Sequence, residues 1–207
     1  MSTLHKPSLL VALALATTLT GAARAEPVPA APSPQPWRWG GFVEDDLGVL
    51  LMSGGVGLFA GPTYGPLRAG AGFYRFDSPF RALSGAPEGF ELKVDAILAG
   101  DLTWHFASDR IEGPYVKAVV QAKSQRVENL ESGARRSLSS FLVGPEIGWT
   151  IRVRGGLYLA PRLGALYYAV RPQGPDNRPV EIGGKPYDND HHKTFDLYAT
   201  LGIGYAF

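Results

Sequence analysis

The sequence predicts an all-β chain that forms a single antiparallel, up-and-down transmembrane β-barrel of about eight strands. Three features predict this fold: an export segment at the N-terminus, long stretches in which apolar residues occupy every second position, and a final strand that ends on an aromatic residue. The 207 residues include 26 glycines and no cysteine. Without cysteine, disulfides, thiolate metal sites and a cysteine nucleophile are excluded. The formal charge of +1 carries no nucleic-acid-binding signature.

Residues 1–25 have the three-part pattern of a secretory signal peptide. A basic start is followed by an apolar run from Leu9 to Ala16, and a small-x-small triplet precedes Glu26. The apolar run is shorter than the ~20 residues of a membrane-spanning helix, which disfavours the alternative of a membrane anchor. We therefore predict export and cleavage before Glu26.

Residues 26–36, "EPVPAAPSPQP", contain five prolines in eleven positions. Such a run favours extended, water-exposed polyproline geometry and does not build a core. We predict a Pro-rich periplasmic spacer over 26–36 and an outer-membrane β-barrel over 37–207.

The clearest alternation is "FELKVDAILAGDLTWHF", residues 90–106. Every second residue from Phe90 to Phe106 is apolar or glycine, and most of the interleaved residues are polar. Because successive side chains of a strand point to opposite faces, this stretch predicts one long strand with an apolar face and a polar face. The same alternation predicts strands in 115–125, 140–153 and 194–207.

Three properties favour a membrane barrel over a soluble sandwich. The predicted strands are much longer than the ~5–6 residues usual in soluble sheets. The polar faces combine many charges with small glycines, as a narrow lumen requires. Aromatic residues collect near strand ends, as in an interfacial girdle; they are Trp104, Phe106, Trp149, Tyr205 and Phe207. In lipid, unpaired backbone groups are costly, so such strands must close into a barrel.

Eight strands are predicted, an even number as in bacterial single-chain barrels. Their ranges are 37–45, 48–61, 66–76, 89–106, 114–126, 138–153, 156–170 and 193–207. With the N-terminus in the periplasm, the short links fall on the inner side and the long loops on the outer side. The first strand is the least defined, and a plug or irregular segment is the alternative for residues 38–47.

The C-terminus "LGIGYAF" resembles the insertion signal of bacterial outer-membrane barrels. In those proteins a final Phe with apolar residues at alternate positions is read by the barrel-assembly machinery, and the matching residues here are Phe207, Tyr205, Ile203, Leu201 and Ala199. From about residue 46 onward the chain also resembles small OmpA-type eight-stranded outer-membrane barrels, through "RAGAGFYRF", "GLYLAPRLGALY" and "FDLYATLGIGYAF". The resemblance implies a monomer surrounded by outer-membrane lipid and lipopolysaccharide, and it transfers no catalytic residue.

Ionisable residues on the predicted lumenal faces are balanced in charge, with five acidic and five basic residues. The acidic ones are Glu91, Asp95, Asp101, Glu146 and Asp196, and the basic ones are Lys93, Lys117, Lys123, Arg152 and Arg162. An eight-stranded barrel is only wide enough for side chains to fill it, and unpaired charges inside would be costly. We expect an ion-paired, largely filled lumen, with a gate or narrow conduction path as the alternative.

Three further motifs have some features of a site. His105 lies near Asp101 and Thr103 on one face, but no serine is placed as its nucleophile, so structural hydrogen bonding is favoured. The stretch "YDNDHHKTFD", residues 187–196, resembles a metal site, yet a solvated loop is favoured because adjacent side chains diverge. "GGVGLFAG", residues 54–61, lacks the lysine and helix of a phosphate loop. We predict close strand packing there, and no catalytic, cofactor-binding or metal residue anywhere.

The sequence thus favours a non-enzymatic outer-membrane barrel with a structural, surface-interaction or weak channel role. Two alternatives remain. One is a barrel enzyme that modifies lipid A or cleaves proteins at the extracellular rim, and the other is a periplasmic lipocalin-like lipid carrier.

Overall fold

The computed structural model describes residues 36–77, 87–172, 178–187 and 194–207. The predicted signal peptide and all of the Pro-rich spacer except Pro36 lie outside these residues, so both remain predictions. No helix within the described ranges is long and apolar enough to cross a membrane.

Eight long strands form a closed antiparallel barrel, together with one short helix and a small hairpin. The elements are β1 (Trp39–Asp46), α1 (Leu47–Leu50), β2 (Ser53–Tyr64), β3 (Leu67–Asp77), β4 (Phe90–His105), β5 (Gly113–Asn129), β6 (Arg135–Arg154), β7 (Leu157–Val170), β8 (Val180–Ile182), β9 (Lys185–Tyr187) and β10 (Phe195–Ala206). The barrel order is β1-β10-β7-β6-β5-β4-β3-β2. The predicted fold class and strand number are confirmed, and β1 is a barrel strand that pairs with both β2 and β10.

An apolar belt surrounds the barrel between two rings of exposed aromatic side chains. The inner ring contains Trp39, Tyr64, Trp104, Trp149, Tyr205 and Phe207, and the outer ring contains Phe73, Phe141, Tyr167 and Phe195. On β6 the rings are marked by Phe141 and Trp149, and this spacing spans ~26 Å along a strand at ~3.3 Å per residue. With a strand tilt of ~40°, the belt is ~20 Å tall, close to the ~25 Å band of outer-membrane barrels.

A β-bulge at Asp95 divides β4 into two parts with opposite orientation. The register between β4 and β5 shifts between Val94 and Ala96, and the pairing with β3 shifts at the same level. Below the bulge Leu98 and Leu102 are exposed on the belt, whereas above it Phe90 is buried. One extra residue reverses the face of every side chain beyond it, so the uniform apolar face predicted for residues 90–106 is wrong above Asp95.

The outer ends of β4, β5 and β6 extend beyond the outer aromatic ring and enclose a hydrophobic cluster. We call these ends the outer extension. The hairpin of β8 and β9 packs against it, and the buried cluster contains Phe90, Leu92, Val94, Val127, Leu138, Val180, Ile182 and Tyr187. Asn129 fixes the hairpin, since its side-chain Nδ2 donates a hydrogen bond of 2.9 Å to the Ile182 carbonyl.

The β8–β9 hairpin was not predicted, although the sequence carries a signal for it. Gly183 and Gly184 both have positive φ, 61° and 77°. Two consecutive residues with φ > 0 match the type I′ turn of two-residue hairpins, for which Gly-Gly is a preferred pair. The apolar Val180 and Ile182 before the turn alternate as in a strand.

Candidate functional site: the lumenal ion-pair network and its cavity

Seven ionisable side chains meet inside the belt region of the barrel. This lumenal network consists of Glu44, Asp46, Arg68, Asp101, Lys117, Glu146 and Arg162, contributed by β1, β3, β4, β5, β6 and β7. Each points inward because it alternates with outward-facing residues on its strand. Six of the eight barrel strands therefore contribute a charge to one connected cluster.

Glu44 lies at the centre of the network and receives both arginines. Its Oε2 is 2.7 Å from Arg68 Nη1, and its Oε1 accepts a hydrogen bond from Arg162 Nη1. The Tyr158 hydroxyl donates a further hydrogen bond of 2.9 Å to Oε2. The ring of Phe42 stacks under the Arg68 guanidinium at 3.8 Å, so both groups are fixed on more than one side.

Lys117 and Glu146 form the opposite side of the network. The Lys117 ammonium is 2.6 Å from Glu146 Oε1 and 3.5 Å from Asp101 Oδ2. The Tyr198 hydroxyl donates a hydrogen bond of 2.7 Å to Glu146 Oε2. Arg162 connects the two sides, since its Nη2 is 3.0 Å from Asp46 Oδ2 and its Nε is 3.8 Å from Glu146 Oε2.

The network holds four carboxylates against three cations. Burying charges is favourable only when geometry is good and additional hydrogen bonds satisfy the remaining lone pairs. Here the hydroxyls of Tyr158, Tyr198 and Thr200 supply these bonds, to Glu44, Glu146 and Asp46 respectively. Neutral hydroxyl donors thus supplement the three cations at these three carboxylates.

Glycines on the lumenal face give the aromatic rings of this cluster their space. A Cβ at Gly204 would lie 2.4 Å from the ring of Tyr158, and one at Gly164 would lie 2.3 Å from the ring of Tyr198. Both distances are far below van der Waals contact, so a side chain at either position would displace a hydroxyl that the network needs. The predicted use of glycine in a crowded lumen is confirmed here.

His105 lies below the network, near the inner end of the barrel, and has a structural role. Its Nδ1 is 3.1 Å from the Pro66 carbonyl and its Nε2 is 3.0 Å from the Thr150 hydroxyl. The side chain is buried, with 1% exposure. Because both ring nitrogens have partners, the structural hydrogen bonding predicted for His105 is confirmed.

On the outer side of the network lies a cavity of about 750 Å³. Its floor is formed by the network residues Glu44, Asp46, Asp101, Lys117, Glu146 and Arg162. Its wall is mostly apolar and includes Phe76, Leu92, Val94, Ile97, Val119, Leu142 and Leu166. The cavity therefore has an ionised floor and an apolar wall. Its volume lies in the range of ~300–1,000 Å³ that is typical of ligand sites.

The structure brings together four of the predicted lumenal residues in the network: Asp101, Lys117, Glu146 and Arg162. Lys123 and Asp196 line the cavity. The predictions for three residues of β4 are wrong, since Glu91, Lys93 and Asp95 face outward where the bulge reverses the upper part of the strand. Arg152 pairs with Tyr158 on the lumenal side of the ladder, but it is exposed at the inner end of β6, where its Nη1 donates to the Gly155 carbonyl at 3.4 Å.

Three network residues were missed from the sequence: Glu44, Asp46 and Arg68. The first two belong to β1, whose strand assignment was weak because its apolar face is short. Arg68 alternates with Leu67 and Ala69, both of which are exposed on the belt, so the period-2 pattern of β3 alone identifies it as lumenal.

The two remaining motifs of the sequence, residues 187–196 and residues 54–61, have different outcomes. Of the metal-like stretch 187–196, residues 188–193 lie outside the described residues, and no metal-binding group of His, Asp or Glu occurs within the described ranges. The glycine-rich stretch 54–61 lies in β2, as expected for close packing. A Cβ at Gly61 would lie 2.0 Å from the Ala69 carbonyl oxygen of β3.

No protein-family model and no curated protein match the sequence. Two solved structures are similar. Neisserial surface protein A (NspA) shares 12% identity, covers 82% of this chain and 95% of its own, and has a TM-score of 0.42. A major outer membrane protein from Thermus thermophilus shares 16% identity over 82% of this chain and 98% of its own, with a TM-score of 0.41. The closed ladder of eight strands, rather than these similarities, carries the fold assignment.

Proposed function

We propose that this protein is an outer-membrane barrel that does not conduct ions and that has a structural or surface-interaction role. The supporting observation is the lumenal network, which connects side chains from six strands across the belt region. An ion passing through would have to separate buried pairs such as Lys117 and Glu146, which the low-dielectric interior disfavours.

The apolar belt between two aromatic rings supports the membrane location. Large exposed side chains such as Leu102, Ile147 and Leu163, with 59%, 56% and 58% exposure, favour contact with lipid. We propose that the C-terminal strand directs insertion through Phe207 and that the chain acts as a monomer. We also propose that it is not an enzyme: His105, the single histidine in the described ranges, has both ring nitrogens engaged and lies away from the outer rim.

Planar-bilayer recording of the refolded protein tests the absence of conduction. Wild type is expected to insert without current steps, whereas Arg162→Ala, which leaves Glu44, Asp46 and Glu146 without a shared cation, is expected to show small cation-selective steps. Lys93→Ala removes an exposed charge near Asp77 outside the lumen and is the matched control. Regular steps from wild type would overturn the proposal, and fractionation away from the outer membrane would overturn the location.

A further inference from the structure

The barrel wall has a window in its outer half, because β1 is shorter than its neighbours. Within the described residues, the ladder between β1 and β10 stops at Asp46 opposite Gly202, and the ladder between β1 and β2 stops at Glu44 opposite Phe59. Residues 195–201 of β10 and 53–58 of β2 continue outward without β1 between them. The chain instead turns into α1, which packs against both strands.

The window lies at the level of the outer half of the apolar belt. Phe195 is paired with Tyr167, and Leu58 with Phe73, so both edges reach the outer aromatic ring. In a membrane this level is the outer leaflet. Four leucines around the window are exposed: Leu50, Leu51, Leu58 and Leu197, with 45%, 79%, 50% and 76% exposure.

The cavity reaches this window. Its lining includes Asp196, Tyr198 and Thr200 from the inward face of β10, and also Leu197 and Ala199 from the outward face of the same strand. Among the described barrel strands that line the cavity, β10 alone contributes residues of both faces, and these residues lie beyond Gly202, where β10 has no β1 partner. Val49, Leu51 and Met52, from α1 and the following turn, complete this side of the lining.

We propose that the cavity takes the aliphatic chain of a membrane amphiphile, which enters sideways from the outer leaflet between β2 and β10 past α1. This inference rests on the membrane location proposed above. The polar head stays outside the window, at the level of the outer aromatic ring, and the aliphatic chain lies along the apolar wall formed by Val119, Leu142 and Leu166. These three side chains border the cavity, and a chain from the bilayer makes dispersion contacts with them.

The ionised floor sets how far the chain enters. Asp46 holds α1 in place, since its Oδ1 accepts a hydrogen bond of 2.8 Å from the Gly48 amide while its Oδ2 pairs with Arg162. The helix that borders the window is therefore attached to the network that forms the floor. The aliphatic chain stops above the charged groups. These groups are paired with other protein side chains, and contact with hydrocarbon would not stabilise them.

Photo-crosslinking in vesicles tests the proposal. The probe is a palmitic acid with a diazirine in its chain, added to vesicles of phosphatidylethanolamine and phosphatidylglycerol that hold the full mature chain. A second arm uses phosphatidylethanolamine with the same diazirine chain, so the arms distinguish a free fatty acid from a two-chain lipid as the source. Adducts are mapped by mass spectrometry, and we expect them on Val119, Leu142 or Leu166 in at least one arm.

Leu142→Trp, which fills the cavity, is expected to lose the lumenal adducts. Leu102→Trp, at a lipid-facing position, is the matched control and is expected to retain them. Adducts on belt residues such as Ile147 report insertion itself. Belt adducts without lumenal adducts, or lumenal adducts that persist in Leu142→Trp, would overturn this inference alone, whereas no adducts on the belt in wild type would overturn the membrane location as well.

Discussion

The belt region and the outer extension of this barrel are built from the same strands with opposite polarity. In the belt, β5 turns Val116 and Val120 outward, and Lys117 inward. In the outer extension the same strand turns Arg126 outward and buries Val127. The outward face of the belt thus suits hydrocarbon. The outward face of the extension suits water, and its inward face forms a hydrophobic core. Within one strand, the apolar residues therefore change from the outward to the inward face where the surroundings of the barrel change.

The energetic consequences differ between the two regions. Charged groups in the belt are buried with partners, so removal of one partner leaves another charge unsatisfied. Charged pairs on the extension, such as Arg126 with Asp95 at 3.3 Å and Arg135 with Glu128 at 2.8 Å, lie at the surface with both partners partly exposed, and surface pairs contribute little.

The largest expected effect separates these two kinds of ion pair. Glu44→Gln leaves Arg68 and Arg162 without their shared carboxylate, and we expect a loss of ~3–5 kcal/mol in the free energy of unfolding. Glu128→Gln, which breaks the exposed pair with Arg135, should leave the free energy of unfolding close to that of wild type. Urea unfolding in lipid vesicles, followed by tryptophan fluorescence, measures both.

Equal losses in the free energy of unfolding for Glu44→Gln and Glu128→Gln would contradict the difference between buried and surface ion pairs. If Glu44→Gln does not refold, Tyr158→Phe removes one hydrogen bond to the same carboxylate and should cost ~1 kcal/mol. No loss for that variant would also contradict the role assigned to the network.

The second prediction concerns the outward faces of the two regions. Ile147→Arg places a charge on the outward face of the belt, between its midplane and the inner aromatic ring, and should destabilise the inserted barrel by ~1–3 kcal/mol. Ser139→Arg, on the outward face of the same strand but beyond the outer aromatic ring, should change the stability by no more than ~0.5 kcal/mol. The same unfolding measurement compares them, and a similar cost at both positions would show that the belt extends past Phe141.

The third and smallest effect is local to the outer extension. Leu138→Ala removes part of the cluster that packs against the β8–β9 hairpin. We expect the free energy of opening of that hairpin to fall by ~2 kcal/mol, with the rest of the barrel unchanged. Amide hydrogen exchange of residues 180–187 measures this opening. Leu102→Ala is the matched control because its side chain points outward from the belt, far from the hairpin, and it should leave hairpin exchange as in wild type.

Much of the fold was predictable because period-2 alternation reports strands directly. It indicated eight strands, the outward face of the belt and four network residues, including Lys117 and Glu146. The reversal in β5 was also visible, since Arg126 and Glu128 occupy the phase of Val116 and Val120. Reading the whole strand, rather than residues 115–125 alone, would have indicated it.

The reversal in β4 was not predictable from its own sequence. Apolar residues continue at alternate positions from Phe90 to Phe106, and the change of face comes from an extra residue at Asp95 relative to the partners on β3 and β5. A bulge is set by the pairing of neighbouring strands, which the sequence of one strand does not contain. The window could not be predicted from the sequence for a related reason, since it depends on where β1 stops pairing with β10.

Cysteine scanning along β4 tests the central claim, that polarity reverses at Asp95, most directly. The chain has no cysteine, so single substitutions from residue 90 to 105 can each carry an environment-sensitive fluorophore in vesicles that contain lipids with a quencher on their chains. The account predicts quenching at positions 98, 102 and 104. Above Asp95 it predicts a water-exposed fluorophore at positions 91 and 93 and a shielded one at positions 90, 92 and 94, and the opposite pattern at these five positions would contradict it.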